Sequence, residues 1–220
     1  MTAGTLTSVT ADRLPEASPQ LLAPAGTQWD KASETTVSLA PTPLDAQPSA
    51  YVRTSWAGRP HGTLASVGLS AVFAGDALYI RLRWVAPEPR QAITDNDTYA
   101  DACAVLFPLD GKAAELSTMG DERSPVQAWH WRAGTALPFV INATGLGTVT
   151  RAPNHPVSVG AAWEDGSWSV VFKRGIQDQG VPLASGASVP LGIAVWSGAN
   201  NERAGLKAHT PAWITLTLPK

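Results

Sequence analysis

Apolar and polar residues alternate in short segments from Trp29 onward, and turn residues separate these segments. Because side chains in a strand point alternately to its two faces, this alternation predicts β-strands. The segment from Leu78 to Trp84 follows an apolar run and a Gly75-Asp76 turn, which predicts a hairpin. The predicted strands cover residues 51–56, 65–73, 78–84, 101–107, 126–131, 161–163, 168–172, 189–196 and 213–218.

Short strands joined in hairpins predict an all-β fold, an antiparallel β-sandwich with few short helices. The 19 glycines and 18 prolines leave little room for long helices, and residues 112–117 are the one predicted helical piece. Residues 1–24 are polar and interrupted by proline, so we expect an irregular N-terminal arm. No repeat or shift of composition divides residues 25–220, which are predicted to form a single domain.

Composition narrows the classes of function. The chain is 44% hydrophobic and 15% charged, as expected of a folded globule, and its net charge of −2 predicts no nucleic-acid partner. No run of 18 apolar residues is present, so no membrane span is predicted. Cys103 is the only cysteine, which excludes an internal disulfide and a thiolate cluster. Its alanine neighbours predict a small buried hydrophobic residue.

Motifs for a stand-alone enzyme are missing from the sequence. There is no G-x-S-x-G nucleophile motif, and the Glu164-Asp165 carboxylate pair falls in a predicted hairpin turn. There is also no C-x-x-C-H motif, which excludes a covalently attached c-type haem.

Two polar loops contain residues that could bind a metal. Met119 is the only methionine after Met1 and lies in a polar loop, where it could be a loop residue or a thioether presented to haem iron or Cu(I). Lys207 and His209 follow a second polar loop and would share a face of an extended strand. On these residues alone, a lone lysine is an ordinary solvated charge.

Five stretches, in this order, resemble the haem b (gamma) subunits of type II DMSO reductase family molybdoenzymes. That group includes the chlorate and selenate reductases, dimethylsulfide dehydrogenase and ethylbenzene dehydrogenase. The stretches are LYIRLRW (78–84), DACAVLFP (101–108), MG with SPVQAWHWRA (119–120 and 124–133), WEDGSWSVVFKR (163–174) and AVWSGANNERAGLK (194–207). The chain departs from the family pattern at Ser197, where an aspartate is usual, and at Val85, where an acidic residue is common.

The resemblance implies a non-covalent haem b held by loops at one end of the sandwich. Its axial ligands, by motif, are Met119 and Lys207, with His209 as the reserve second ligand and Lys173 as a weaker option. The lysine must then be the neutral amine, which requires a dry pocket. Three tryptophans flank the ligand loops and are predicted to line the pocket, although each could also be plain core: Trp129, Trp131 and Trp196.

The resemblance also implies function and partners. The expected protein is a non-catalytic, periplasmic electron-transfer subunit whose secretion signal is absent from the given chain. It would relay electrons between a soluble c-type cytochrome and the iron–sulfur beta subunit, which serves the molybdenum alpha subunit. We favour chlorate or selenate reductase within the family. The alternative is a carbohydrate-binding β-sandwich module, because exposed indoles stack on sugars.

Overall fold

The computed structural model describes residues 7–93, 95, 97–112, 115–152 and 155–220. They form two β-sheets, one short α-helix and three 3₁₀ segments. The strands are β1 (Ser8–Thr10), β2 (Asp12–Leu14), β3 (Thr35–Ser38), β4 (Ala40–Pro41), β5 (Ser66–Ala74), β6 (Ala77–Val85), β7 (Ala102–Pro108), β8 (Val126–Arg132), β9 (Phe139–Ala143), β10 (Thr150–Arg151), β11 (Ser158–Glu164), β12 (Ser167–Gly175), β13 (Ser188–Trp196), β14 (Ala208–His209) and β15 (Ile214–Thr217). The helix α1 spans Ala50–Ser55, and the 3₁₀ segments span Pro19–Leu22, Thr27–Lys31 and Gly198–Asn200.

The first sheet has nine strands in the order β1-β15-β13-β7-β8-β9-β10, with β14 and β4 paired beside β13. The second has six strands in the order β11-β12-β6-β5-β2, with β3 also paired to β5. One hydrophobic cluster contains residues of both sheets, such as Leu78 and Ile80 of β6 and Val105 and Phe107 of β7. The two sheets therefore pack face to face, and the predicted β-sandwich is confirmed.

The predicted hairpins are present, and glycine explains their turns. β5 and β6 join at Gly75, whose φ is 60°, and β11 and β12 join at Gly166, whose φ is 73°. Both angles lie in the left-handed region, where a residue without Cβ has no steric penalty. Leu78, Ile80, Leu82 and Trp84 alternate along β6, and all four side chains lie in the core.

Three sequence predictions of secondary structure need correction. The segment predicted as a strand at 51–56 is helix α1, which begins where the Ser49 side chain accepts a hydrogen bond from Val52 N at 3.4 Å. The irregular arm predicted for residues 1–24 is wrong at β1 and β2, which pair in parallel with β15 and β5. The helix predicted at 112–117 forms only bends and turns where it is described, and residues 113 and 114 lie outside the described part.

No helix among the described residues is long and apolar enough to cross a membrane.

Candidate functional site

The outer face of the nine-stranded sheet has small side chains at its centre. Ala102 and Ala104 of β7, Ala128 of β8 and Ala194 of β13 form a patch that we call the alanine floor. Register places Ala104 directly opposite Ala194, so the methyl groups lie side by side. Alanine side chains are too short to cover a sheet, and a cavity of about 580 Å³ therefore opens above them. This volume is within the usual range of small-molecule and cofactor sites.

Larger side chains and loops form the walls of this cavity. The apolar wall residues are Leu106, Phe139, Ile141, Leu146, Val149, Trp196, Val52 and Ile93. The lining also contains the thioether of Met119 and several polar side chains, which include Lys207, His130, Arg132, Arg203, Gln47 and Glu202. A mostly apolar enclosure with a few convergent polar groups is the usual form of a cofactor site.

Met119 is presented by residues 115–125, which we call the methionine loop. Its φ of 60° is left-handed, a conformation that costs a non-glycine residue roughly 1–2 kcal/mol. The turn is held by hydrogen bonds from Met119 N to Leu116 O at 3.1 Å and from Gly120 N to Glu115 O at 2.9 Å. Such strain persists where the surroundings fix the backbone, and it is often found at functional sites.

Lys207 ends residues 197–207, which we call the lysine loop. The buried carboxylate of Glu202 folds this loop, since it accepts hydrogen bonds from Gly62 N at 2.6 Å, Ser197 N at 2.9 Å and Asn200 Nδ2 at 2.9 Å. The lysine loop also contains left-handed backbone at Asn201 (φ 54°) and Ala204 (φ 49°). Of the four non-glycine residues described with positive φ, three therefore lie in the two loops that carry the predicted ligands.

The two predicted ligands meet in the cavity. Lys207 Nζ lies 4.0 Å from Met119 Sδ and 5.3 Å from the centre of the Trp196 ring. Burial lowers the pKa of Lys207 from 10.5 to about 8, because the charged ammonium loses hydration. The site thus brings a thioether and an easily neutralised amine to one point, and both groups can donate a lone pair to a metal.

Two of the three predicted pocket tryptophans lie elsewhere. Trp129 and Trp131 point from the inner face of β8 into the core between the sheets. Trp131 packs against Trp168 with ring centres 4.9 Å apart, and Trp129 Nε1 donates to Gln127 Oε1 at 3.2 Å. Only Trp196 lines the cavity, where its Nε1 donates to Ala204 O at 3.0 Å. The prediction that Trp129 and Trp131 line the pocket is corrected accordingly.

The two alternative ligands are also separate from the cavity lining. His209 lies on β14, half-buried, opposite Ala194 and Ala40, and is not among the lining residues. Its pKa is lowered first by burial and then by the nearby charge of Lys207. Lys173 belongs to β12 in the other sheet, where its Nζ lies 5.7 Å from the centre of the Tyr79 ring.

His130 is a cavity residue that the sequence reasoning missed. It stacks on Phe139 with ring centres 4.2 Å apart and lies 5.1 Å from the Trp196 ring. Its Nδ1 is buried and has no hydrogen-bond partner within the described part of the chain. Burial, and next the charge of Lys207, lower the pKa of His130 to about 3, so the imidazole is neutral. The sequence did contain a signal for it, because His130 shares one face of β8 with Ala128 and Arg132.

Comparison with known proteins gives matches over much of the chain. The family model described as ethylbenzene dehydrogenase matches residues 27–148. The chlorate reductase gamma subunit of Ideonella dechloratans is 37% identical over 161 residues, which is 70% of this chain and 66% of that protein. The dimethylsulfide dehydrogenase gamma subunit of Rhodovulum sulfidophilum is 30% identical over 63% of this chain and 55% of its own length.

A third relative comes from Haloferax mediterranei. This protein, whose name assigns it as the haem subunit of a respiratory nitrate reductase, is 32% identical over 60% of this chain and 49% of its own length. The matches thus span about half to two thirds of these relatives.

Solved structures share the fold at low sequence identity. A Bacteroides uniformis protein inferred to bind carbohydrate aligns with a TM-score of 0.56 and 9% identity, covering 97% of this chain and all of the other. A family 9 carbohydrate-binding module from Caldicellulosiruptor kristjanssonii, solved with glucose, aligns with a TM-score of 0.52 and 7% identity over 96% and 95% of the two chains. At such identities the likeness concerns the sandwich fold alone.

Proposed function

Since the chain belongs to the ethylbenzene dehydrogenase family, we propose that it is a haem-binding electron-transfer subunit of a molybdoenzyme complex. The resemblance to gamma subunits of type II DMSO reductase family enzymes is confirmed by the chlorate reductase and dimethylsulfide dehydrogenase relatives. The observation that carries the proposal is the Met119–Lys207 pair above the alanine floor.

The spacing of the pair fits a metal held between the two side chains. Bonds from a transition metal to nitrogen and sulfur ligands are about 2.0–2.3 Å long, so one ion could bind both atoms if they lie within about 4.3 Å of each other. The observed separation of Nζ and Sδ is 4.0 Å. A thioether and an amine are also acceptable ligands for haem iron, since soft and nitrogen donors both bind it.

The cavity fits the flat body of a haem. The alanine floor keeps the sheet surface low, and Phe139, Ile141 and Trp196 supply apolar walls. Attachment would be non-covalent, because Cys103, the only cysteine, lies on the inner face of β7 in the core. Met119 and Lys207 would hold the haem b iron from its two sides.

Bound iron would supply one-electron oxidation and reduction. In this chain, burial of Lys207 lowers its pKa and so makes the neutral amine accessible, and backbone hydrogen bonds of the methionine loop hold Met119 in position. With Met119 and Lys207 both bound to it, the iron would have no open site for a substrate. The subunit therefore transfers electrons and does not catalyse a reaction.

The proposed partners follow from the family. Electrons would pass between a soluble c-type cytochrome and the iron–sulfur subunit, which is coupled to the molybdenum subunit, and the complex would be periplasmic. Chlorate or a similar oxyanion is our preferred substrate for the catalytic partner, a choice supported by the 37% identity to the chlorate reductase gamma subunit.

An absorbance spectrum tests the proposal against the carbohydrate-binding alternative. We expect a Soret band and a sharp α band in the reduced protein, and acid–acetone extraction should move the haem to the organic phase. A protein that stays colourless after haem is supplied would contradict the proposal and favour a carbohydrate-binding module.

Ligand variants test the assignment of the pair. Met119→Ala should weaken haem retention and lower the midpoint potential, because methionine ligation favours a high potential. Lys207→Ala should convert the low-spin spectrum to a high-spin one at neutral pH. His209→Ala is the matched control, since this residue lies outside the cavity lining and should leave the spectrum nearly intact. The reverse result for Lys207 and His209 would transfer the ligand assignment to His209.

A further inference from the structure

Two arginines line the cavity at the same end of the sheet. Arg132 is the last residue of β8, opposite Ala102 at the start of β7, and Ala102 is in turn opposite Trp196 at the end of β13. The lysine loop starts directly after Trp196 and carries Arg203. The chain therefore places two arginines at this end of the cavity, while Met119 packs against the cluster of outer-face side chains that contains Leu106.

Neither guanidinium is paired with a carboxylate in the described part of the chain. Arg132 is exposed and makes no side-chain hydrogen bond or ion pair there. Arg203 is half-buried, and its Cζ lies over the Tyr99 ring, 4.6 Å from the ring centre. Contact with an aromatic face still leaves the N–H groups of a guanidinium available for hydrogen bonds to a ligand.

The buried acidic residues at this end accept hydrogen bonds from neutral N–H groups and form no ion pair with either arginine among the described residues. Asp101 accepts hydrogen bonds from Arg90 N at 2.8 Å, Gly198 N at 2.8 Å and Trp168 Nε1 at 2.9 Å. Glu202 is held by three N–H groups in the same way. Asp97 lines a neighbouring cleft together with Arg203 but forms no ion pair with it.

We propose that Arg132 and Arg203 bind the carboxylates of the molecule that lies on the alanine floor. The cavity then selects a planar apolar body that carries carboxylates along one edge. If the proposed function holds, these groups are the two haem propionates, and the inference rests on it to that extent. Charge-assisted hydrogen bonds to guanidinium are strong and directional, so the pair would also fix which way the ring faces.

Metal-free protoporphyrin IX tests this inference independently of iron ligation. The haem-free protein is titrated with protoporphyrin IX and with its dimethyl ester, which has the same ring without the negative charges, and binding is followed by fluorescence. We expect the diacid to bind more tightly than the ester by about tenfold for each arginine that contacts it.

Variants assign that preference to the two side chains. Arg132→Gln and Arg203→Gln should each reduce the ratio of the two dissociation constants, and the double variant should bring it close to one. Arg83→Gln is the matched control, since Arg83 is an exposed arginine on β6 in the other sheet and should leave the ratio unchanged. Circular dichroism of each variant checks that the fold is retained.

The outcomes separate this inference from the proposed function. A wild-type protein that gives the haem spectrum but binds diacid and ester equally would overturn the arginine assignment alone. An unchanged ratio in the double variant would do the same. A wild-type protein that binds neither porphyrin nor haem would overturn the proposed function and this inference together.

Discussion

The inner and outer faces of the nine-stranded sheet are built from the same strands, yet their side chains differ greatly in size. On β7 the inner face carries Cys103, Val105 and Phe107, all fully buried, while the outer face carries Ala102 and Ala104, with Leu106 at the edge of the cavity. The inner residues fill the space between the sheets, and the outer ones leave a cavity of about 580 Å³. Because side chains alternate along a strand, the inner face of each strand stabilises the fold and its outer face is available to bind a ligand.

The largest effect is expected on the inner face. Trp129→Ala should lower the free energy of unfolding by about 3–5 kcal/mol, because a buried indole leaves a void that the two sheets cannot close. Chemical denaturation measures this change. Trp196→Ala is the outer-face counterpart and should cost clearly less, since the open cavity already leaves part of that indole without packing. Equal costs would contradict the division between the two faces.

A smaller effect of opposite sign is expected at Lys207 on the outer face. Its pKa falls from 10.5 to about 8 in the folded protein, which corresponds to a cost of about 3 kcal/mol for the charged form. This cost is fully present below pH 8, shrinks as the pH rises toward 10.5 and vanishes above it. Lys207→Met should therefore stabilise the haem-free protein at pH 7 by up to about 3 kcal/mol, and the gain should disappear at high pH.

Denaturation of the haem-free protein at several pH values measures that gain. Lys31→Met is the matched control, because Lys31 is exposed and its loss should change stability little at any pH. A gain at Lys207 that persists above pH 10.5 would show that charge burial is not its cause.

The smallest effect on stability is expected at the alanine floor. Ala128→Leu should raise the free energy of unfolding by at most about 1 kcal/mol, since the added atoms enter space that is already open. The same change should abolish haem uptake, measured by Soret absorbance. Ala133→Leu, in the packed core just after β8, is the contrasting variant and should cost about 1–3 kcal/mol through overpacking. If Ala128→Leu took up haem at the wild-type level, the haem could not lie on the alanine floor.

Sequence reasoning worked where local chemistry decides the structure. The β5–β6 and β11–β12 hairpins were predictable, because alternating strands flank a turn glycine in each. Helix α1 was missed because residues 51–56 alternate in polarity as well as a strand does, and the capping role of Ser49 was overlooked. The pairing of β1 and β2 with distant strands left no local pattern at all.

At the site, alternation showed which residues share a face but not which face is inside. Trp129 and Trp131 were therefore grouped together correctly and assigned to the wrong side of β8. Residue size held the missing information, since the small Ala128 on the other face leaves the room that a ligand needs. Met119 and Lys207 came from the motif resemblance, because 88 residues separate them and no periodicity connects them.

The pairing of β1 with β15 has a consequence for biosynthesis. Ser8 lies opposite Thr215, and two residues after β1 the chain enters the other sheet as β2, where Asp12 lies opposite Val72. Residues 8–14 thus pair with both sheets, but the β15 partner of β1 is synthesised much later than β1 itself. The complete sandwich can form only after synthesis has reached β15. Contacts so distant in sequence also slow folding, so the nascent chain should remain open to chaperones until β15 has been synthesised.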